Sequence, residues 1–356
     1  MRVAIVNQHP SVAVGGSETQ CDLIAAGLAA RGHSVRYVAP GGVAGPTPYA
    51  TVPVADRAGA IVDGILAHRP DVVYWRFGTR HLFAAWPRLD RAGVPVVMAA
   101  SHADDLRRWA TPPSARRQGP ARWAEVARDR LRSALGHAAL RRVDGLVVNN
   151  ADQLDLVRVT PRAFIPNGVD PRTEPFAWPR PYIAWVANLK PAKRPEACLP
   201  LARAIADLGV DVLMAGRAQV AAYEGFAARP DLPPNLHVLG PLAPRVAAGL
   251  LAGARIHVHT CRPEGFPNVF LQAWCHGVPS VSLGFDPGGA IAREGLGATA
   301  ADDPARFHAE VRRLLVDDAA RDAAGARAAA YAAEHGDVAA NVVLLEEFLA
   351  GIVVGG

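Results

Sequence analysis

Short apolar runs alternate with longer amphipathic stretches along the whole chain. VAIVN opens it, a polar, glycine-containing loop PSVAVGGSE follows, TQCDLIAAGLAARG has helical spacing up to Gly32, and SVRYVAP is apolar again. Runs of four to seven apolar residues bounded by turn residues read as buried strands, and the longer segment with a period near 3.6 reads as a helix. The alternation continues through DVVYWR, VPVVMAAS and GLVVNN. A proline-rich stretch from Pro171 to Pro181 interrupts it, and a second cycle begins. Its strands are YIAWVAN, DVLMAG, LHVLG, RIHVHT and PSVSL, with CLPLARAIADL and PRVAAGLLAGA as intervening helices. Strands that are apolar throughout and alternate with helices imply parallel sheets covered on both faces. The expected fold is α/β, with two doubly wound Rossmann-like domains facing across a cleft. The expected domains are 1–175 and 176–336, with a C-terminal helix in 337–356 crossing back to the first.

Length agrees with this division, since 356 residues exceed one ordinary core and suit two. Half the residues are apolar and a fifth charged, which excludes wholesale disorder. The opening MRVAIV turns polar at Asn7, too soon for a signal peptide. No stretch approaches the roughly 18 uncharged apolar residues of a spanning helix, so no integral membrane segment is expected. Cys21, Cys198, Cys261 and Cys275 form no C-x-x-C pair, which fits a reduced, cytoplasmic enzyme.

Charge changes the picture in two places. Of the 38 basic residues, only Lys190 and Lys193 are lysines, and they lie three apart in LKPAKRP. An ammonium is a compact point charge that a planar guanidinium does not replace, so this loop is marked as a site. Between Ser101 and Gly145 the chain carries ten arginines against five acids. There RWAEVARDRLRSALGHAALRR reads as an arginine-laced amphipathic helix, with Trp123, Ala127, Leu131, Ala134 and Ala138 at helical spacing. Such a helix suits an anionic membrane surface, and equally a solvated helix packed on its own domain. No recognised nucleic-acid module accompanies it, so no nucleic-acid partner is expected.

In doubly wound sheets, ligands bind beyond the carboxyl ends of the strands. The candidates are therefore the polar residues after each strand: Gly15-Gly16-Ser17-Glu18, then His102, Asn149 and Asn150, Lys190 to Lys193, Gly216 with Arg217, and 264–268. Gly15-Gly16 precedes a helix but is not G-x-G-x-x-G, which disfavours a nicotinamide cofactor. In CRPEGFPNVFLQAWCHGVPSVSL, a strand leads through a loop into a helix expected to start near Pro267 and end at Gly277. Its first amides, those of Gly265, Phe266 and Asn268 around Pro267, suit phosphates or sugar hydroxyls, with Glu264 just before and Gln272 within. His257, His259 and Cys261 share one strand face, either as metal ligands or as polar lining near the site.

Together these residues resemble the family 4 glycosyltransferases of the GT-B fold. The resemblance rests on Gly-Gly-x-Glu near the start, Ile165-Pro-Asn-Gly-Val-Asp170, the lysine-bearing loop, and Glu264-Gly-Phe-Pro-Asn with its helix to Gly277-Val-Pro. It spans nearly the whole chain. Two positions depart from the family pattern of Glu, seven residues, Glu and of an Arg/Lys pair: Gln272 stands at the second Glu position, and Asn188 stands where the arginine belongs. Lys190 or Arg194 is then available as the replacement cation.

The resemblance implies a retaining transfer of a hexose-type sugar from a nucleotide sugar, UDP- or GDP-linked, to a hydroxyl acceptor that a lipid can carry. No cofactor and no metal are implied. Lys193, Glu264 and His102 would act at the reacting centre, His102 having a boundary or capping role as its alternative. Asn188, Lys190, Gly216, Arg217, residues 265–268 and Gln272 would hold the donor, and Gly15, Gly16 and Glu18 the acceptor or phosphate side. The enzyme would be cytoplasmic and peripheral on the inner face of the membrane. A GT-B nucleotide-sugar epimerase and a catalytically silent GT-B binding or scaffold protein remain open.

Overall fold

The computed structural model describes residues 1–13, 15–107, 121–156, 158–261 and 265–355. In chain order, β1 (Arg2–Val6) leads to α1 (Gly16–Ala30), β2 (Ser34–Pro40), β3 (Ala50–Val54), α2 (Ala58–Leu66), β4 (Val72–Trp75) and α3 (Thr79–Arg91). Next come β5 (Val96–Ala100), α4 (Ala103–Leu106), α5 (Ala121–Leu140), β6 (Gly145–Val148) and β7 (Arg162–Phe164). The second cycle is β8 (Tyr182–Val186), α6 (Cys198–Ala204), β9 (Asp211–Ala215), β10 (Leu236–Gly240), α7 (Pro244–Ala252), β11 (His257–His259), α8 (Asn268–Trp274) and β12 (Ser280–Ser282). It closes with α9 (Ala290–Glu294), β13 (Gly297–Thr299), α10 (Pro304–Val316), α11 (Asp318–His335) and α12 (Val338–Gly355).

Two compact units result: residues 1–168 with 338–356, and 169–337. The first holds a parallel sheet in the order β3-β2-β1-β4-β5-β6-β7, the second a parallel sheet in the order β10-β9-β8-β11-β12-β13. Strand order reverses between β1 and β4 and between β8 and β11, which is where doubly wound sheets open a crevice at their carboxyl edge. Val3, Ile5, Tyr74 and Val97 pack under α1 and α12, while Ala4, Val6, Val73 and Trp75 pack under α2, α3 and α5. Adjacent residues thus enter opposite cores, which is why the strands carry no polar alternation.

The strand pattern left β3, β7 and β13 unread. β3, β7 and β13 are edge strands, and β3 carries Pro53 inside it, a residue that only an edge position tolerates. The helix expected from Pro267 starts one residue later, with Pro267 as its extended N-cap.

By length and composition α12 is apolar enough to cross a membrane, with mean hydropathy 1.9 over an 18-residue window. Glu346 and Glu347 divide that window, and no uncharged run revealed it. In the structure Val342, Leu345, Leu349 and Ile352 of α12 sit in the core of the first unit beside α1.

Candidate functional site

In the second unit, the lysine loop leaves the carboxyl end of β8 and turns through two 3-10 turns, Pro191–Lys193 and Pro195–Ala197. Each turn begins with a proline, whose fixed φ suits that position. Between them Arg194 takes a left-handed conformation, φ 47°. Its Nε donates to the Thr260 carbonyl at 2.6 Å, and its guanidinium also reaches the Cys261 carbonyl and pairs with Asp302. The replacement-cation role considered for Arg194 therefore gives way to a bracing one: its donors hold the loop against the end of β11. Trp185 Nε1 donates to Thr260 Oγ1 at 2.8 Å, and that hydroxyl donates to the Lys193 carbonyl at 2.7 Å. Lys193 and Lys190 are half-buried, and the Lys193 amide donates to the Lys190 carbonyl.

The neighbouring loop follows β9. Gly216 has φ 153°, and a Cβ built on it would stand 1.9 Å from the Ala187 carbonyl oxygen. Only glycine lets the two backbones run this close. The Arg217 amide donates to Asn188 Oδ1 at 3.3 Å, and the Leu189 amide to the Arg217 carbonyl at 2.8 Å. Asn188 thus ties its loop to the next one, and the exposed Arg217 lies beside it.

β11 itself is lined by His257 and His259, both buried. Their Nδ1 atoms face Ser280 Oγ at 2.9 Å and Ser282 Oγ at 3.4 Å on β12, the residues paired with them in register. Burial pushes the His257 pKa down to about 3. Burial, with His257, Lys193 and Arg194 nearby, holds His259 well below the ordinary imidazole range. Both rings are neutral and pack on Phe270 of α8. Among the described residues no group of three or more His, Cys, Asp or Glu is placed to hold a metal ion. Gly265 is buried, Phe266, Pro267, Asn268 and Gln272 are half-buried, and Glu264 lies outside the described residues.

In the first unit, Gly15 is the extended N-cap of α1 and Glu18 sits in its first turn. The Glu18 carboxylate folds back over the helix end, with Oε2 2.2 Å from where a Gly15 Cβ would stand. Burial raises the Glu18 pKa, opposed by its own backbone N–H and by Arg76. Arg76, which composition and motif reading missed, follows β4 and is buried. Its Nε donates to Ser101 Oγ at 3.0 Å and its Nη2 to Asn167 Oδ1 at 3.2 Å. Ser101 Oγ reaches Ser17 Oγ at 3.3 Å, and Asn7 Nδ2 donates to Ser17 Oγ at 2.9 Å. One polar chain therefore spans the ends of β1, β4 and β5 at the switch point. A lone arginine among thirty-six gave no sequence signal.

His102 is exposed ahead of α4, where Asp105 Oδ2 accepts the Ser101 and His102 amides at 3.0 and 2.9 Å. Gln20 of α1 closes two hydrogen bonds on the Gly168 backbone, at 2.7 and 2.8 Å, so Asn167-Gly168 is fastened by Arg76 and Gln20. On α5 the first half of the apolar stripe anticipated from spacing faces outward, with Trp123 and Leu131 71% and 60% exposed and Ala127 exposed too; Ala134 and Ala138 are half-buried, and Gly136, Ala139 and Leu140 are buried. Part of the arginine-rich segment, 108–120, lies outside the described residues.

Residues 180–317 match the family model described as glycosyl transferases group 1. Among solved structures it is similar to sucrose-phosphate synthase from Thermosynechococcus elongatus, at 14% identity, TM-score 0.82 and full coverage of both chains. It is also similar to HepE of Anabaena in complex with UDP-glucose, at 18% identity and TM-score 0.74, over 99% of this chain and 100% of that one. A third is WaaG, a glycosyltransferase involved in lipopolysaccharide biosynthesis, at 17% identity and TM-score 0.72, over 99% and 100%. These likenesses establish the GT-B fold. No curated protein sequence matches significantly.

Proposed function

We propose, from the match of residues 180–317 to the group 1 glycosyl transferases, that the chain moves a hexose-type sugar from a nucleotide-sugar donor to a hydroxyl acceptor with retention of configuration. The family match over 180–317 carries this reading. Neighbours solved with UDP and glucose and with UDP-glucose support a nucleotide donor, with a uridine-linked sugar the first to try.

On this reading the second unit takes the donor. Lys193, helped by Lys190, neutralises charge growing on the departing β-phosphate, where a preorganised cation contributes most. Asn188 of the same loop, with Gly216 and Arg217 of the adjoining one, flanks the diphosphate. Residues Gly265, Phe266, Pro267 and Asn268 meet phosphate or sugar hydroxyls, and Gln272 meets the ribose. Glu264 is assigned, on the sequence resemblance alone, to the sugar hydroxyls and the cationic ring. Gly15, Gly16, Glu18 and His102 serve the acceptor and sugar side. The leaving phosphate takes the acceptor proton on the same face, so the paired-carboxylate scheme of glycosidases is not required. No cofactor is assigned a step.

The acceptor is inferred to be lipid-linked. On α5, Trp123 and Leu131 are exposed together with Arg128, Arg130 and Arg132, an apolar and basic face that suits an anionic headgroup layer. The enzyme is then peripheral, on the inner face of the membrane.

A thermal-shift screen over UDP-, GDP-, ADP- and dTDP-sugars tests the donor assignment. A ligand at about 100 times its dissociation constant stabilises by about 2.7 kcal/mol, and a flat response to every nucleotide sugar would sink the reading.

A further inference from the structure

We propose that His9 is the positioning residue of the acceptor-side loop, fixed in one tautomer by a hydrogen-bond chain that ends on Asp22. The inference rests on the first unit being the acceptor side.

His9 is buried in the loop that leaves β1, directly before the Gly15–Glu18 turn at the switch point. Its Nδ1 accepts the Ser11 backbone N–H at 3.2 Å and faces Ser11 Oγ at 2.6 Å. Ser11 Oγ already accepts the Ala44 N–H at 2.9 Å, which leaves its own proton to donate to Nδ1. A ring nitrogen that accepts a backbone N–H, a group that can only donate, carries no proton, so the Ser11 hydroxyl donates to Nδ1 and the ring proton is on Nε2. That N–H donates to Tyr49 Oη at 3.1 Å, and the Tyr49 hydroxyl donates to Asp22 Oδ1 on α1. Every link runs one way, from Ser11 to the carboxylate.

The groups facing His9 are Asp22 from α1, Tyr37 from β2 and Tyr49 from ahead of β3. The Tyr37 ring meets His9 edge-on at 5.3 Å and stacks on Tyr49 at 5.7 Å, and its hydroxyl donates to the Gln8 carbonyl at 2.7 Å. Two loops, one after β1 and one after β2, are thus fastened through a single imidazole. Ser11 and Val12 stand exposed at the tip of the first, beyond the carboxyl edge of the sheet where a ligand is expected. A loop that must present a hydroxyl acceptor within a few tenths of an ångström needs such a second layer of support. The tyrosine and the aspartate act through His9, and His9 acts through Ser11.

Hydrogen exchange at the Ser11 and Ala44 amides, measured in the full chain, reads the chain directly. Tyr49→Phe keeps the ring stack and removes the relay, and Asp22→Ala removes its end. Asp22→Asn keeps an oxygen acceptor for the Tyr49 hydroxyl and serves as the rescue. The expected result is exchange at least tenfold faster in Tyr49→Phe and Asp22→Ala, and within twofold of the parent in Asp22→Asn. UDP release from UDP-glucose to water should stay within twofold in all three. Unchanged exchange in Tyr49→Phe and Asp22→Ala, or UDP release lost in step with faster exchange, overturns the assignment. A parent protein that none of the four nucleotide sugars stabilises, and that releases no nucleoside diphosphate from any of them, refutes the donor assignment instead, and the exchange pattern alone then decides the role of His9.

Discussion

Arg194 Nε donates to the Thr260 carbonyl at 2.6 Å, from a backbone conformation, φ 47°, that non-glycine residues seldom adopt. Strain at that residue is offset by what its guanidinium holds: the carbonyls of Thr260 and Cys261 and the carboxylate of Asp302. Arg194→Ala is expected to leave the Thr260 carbonyl without its charged donor and to lower stability by about 1.5 to 3 kcal/mol. Donor affinity should fall with it, because the Lys193 carbonyl is bonded to Thr260. Urea unfolding and UDP calorimetry check both halves, and an Arg194→Ala protein of parental stability would remove the bracing role.

Lys193→Ala should reduce kcat by a factor of about a hundred or more, the scale on which loss of one preorganised transition-state donor is felt. Lys190→Ala should cost less. Steady-state rates at saturating donor decide it, and parental turnover in both variants would refute the leaving-group role.

Gln272 offers one oxygen acceptor and an NH₂ donor where a glutamate would offer two charged acceptors. Gln272→Ala is expected to raise the donor KM roughly tenfold, equivalent to about 1.4 kcal/mol, with a smaller change in kcat, because the ribose lies far from the breaking bond. Gln272→Glu should preserve or tighten nucleoside diphosphate binding. Calorimetry with the bare diphosphate separates the two, and unchanged affinity in Gln272→Ala would dismiss the ribose contact.

Acid should destabilise the second unit through its histidine pair. Burial brings the His257 pKa to about 3, against an ordinary value near 6.5, and His259 is depressed in the same direction. Between those values the unfolded chain binds more protons than the folded one, so stability falls as pH drops from about 6.5 toward 3. Each site contributes at most about 1.4 kcal/mol per pH unit in that window. Denaturation midpoints at pH 7 and pH 4.5 should differ accordingly, with a smaller difference in His257→Phe.

Vesicle sedimentation tests the outward face of α5. Binding to anionic vesicles at low salt and release as salt screens the attraction are expected, with Arg128→Glu/Arg132→Glu abolishing both. Equal, negligible binding to neutral and anionic vesicles would leave a soluble acceptor as the better reading.

The doubly wound fold was legible because its strands are apolar on both faces and its turns fall where glycine, proline and asparagine mark them. β2, for instance, covers the run SVRYVAP without a residue's difference. The edge strands β3, β7 and β13 were not legible, since a short edge strand buries too little to impose a pattern. Lysine rarity alone singled out the loop after β8. What the sequence did not specify was the work of individual arginines and histidines, because thirty-six arginines look alike until burial distinguishes them. Arg76 and Arg194 are held by oxygens 25 to 108 positions away along the chain, and His9 by a tyrosine 40 positions away. Hydrogen-bond partners separated that far are brought together only by strand order and helix packing. The fold class followed from local pattern, while the tautomer of His9, the bracing by Arg194 and the exposure of Trp123 and Leu131 on α5 were decided by tertiary structure.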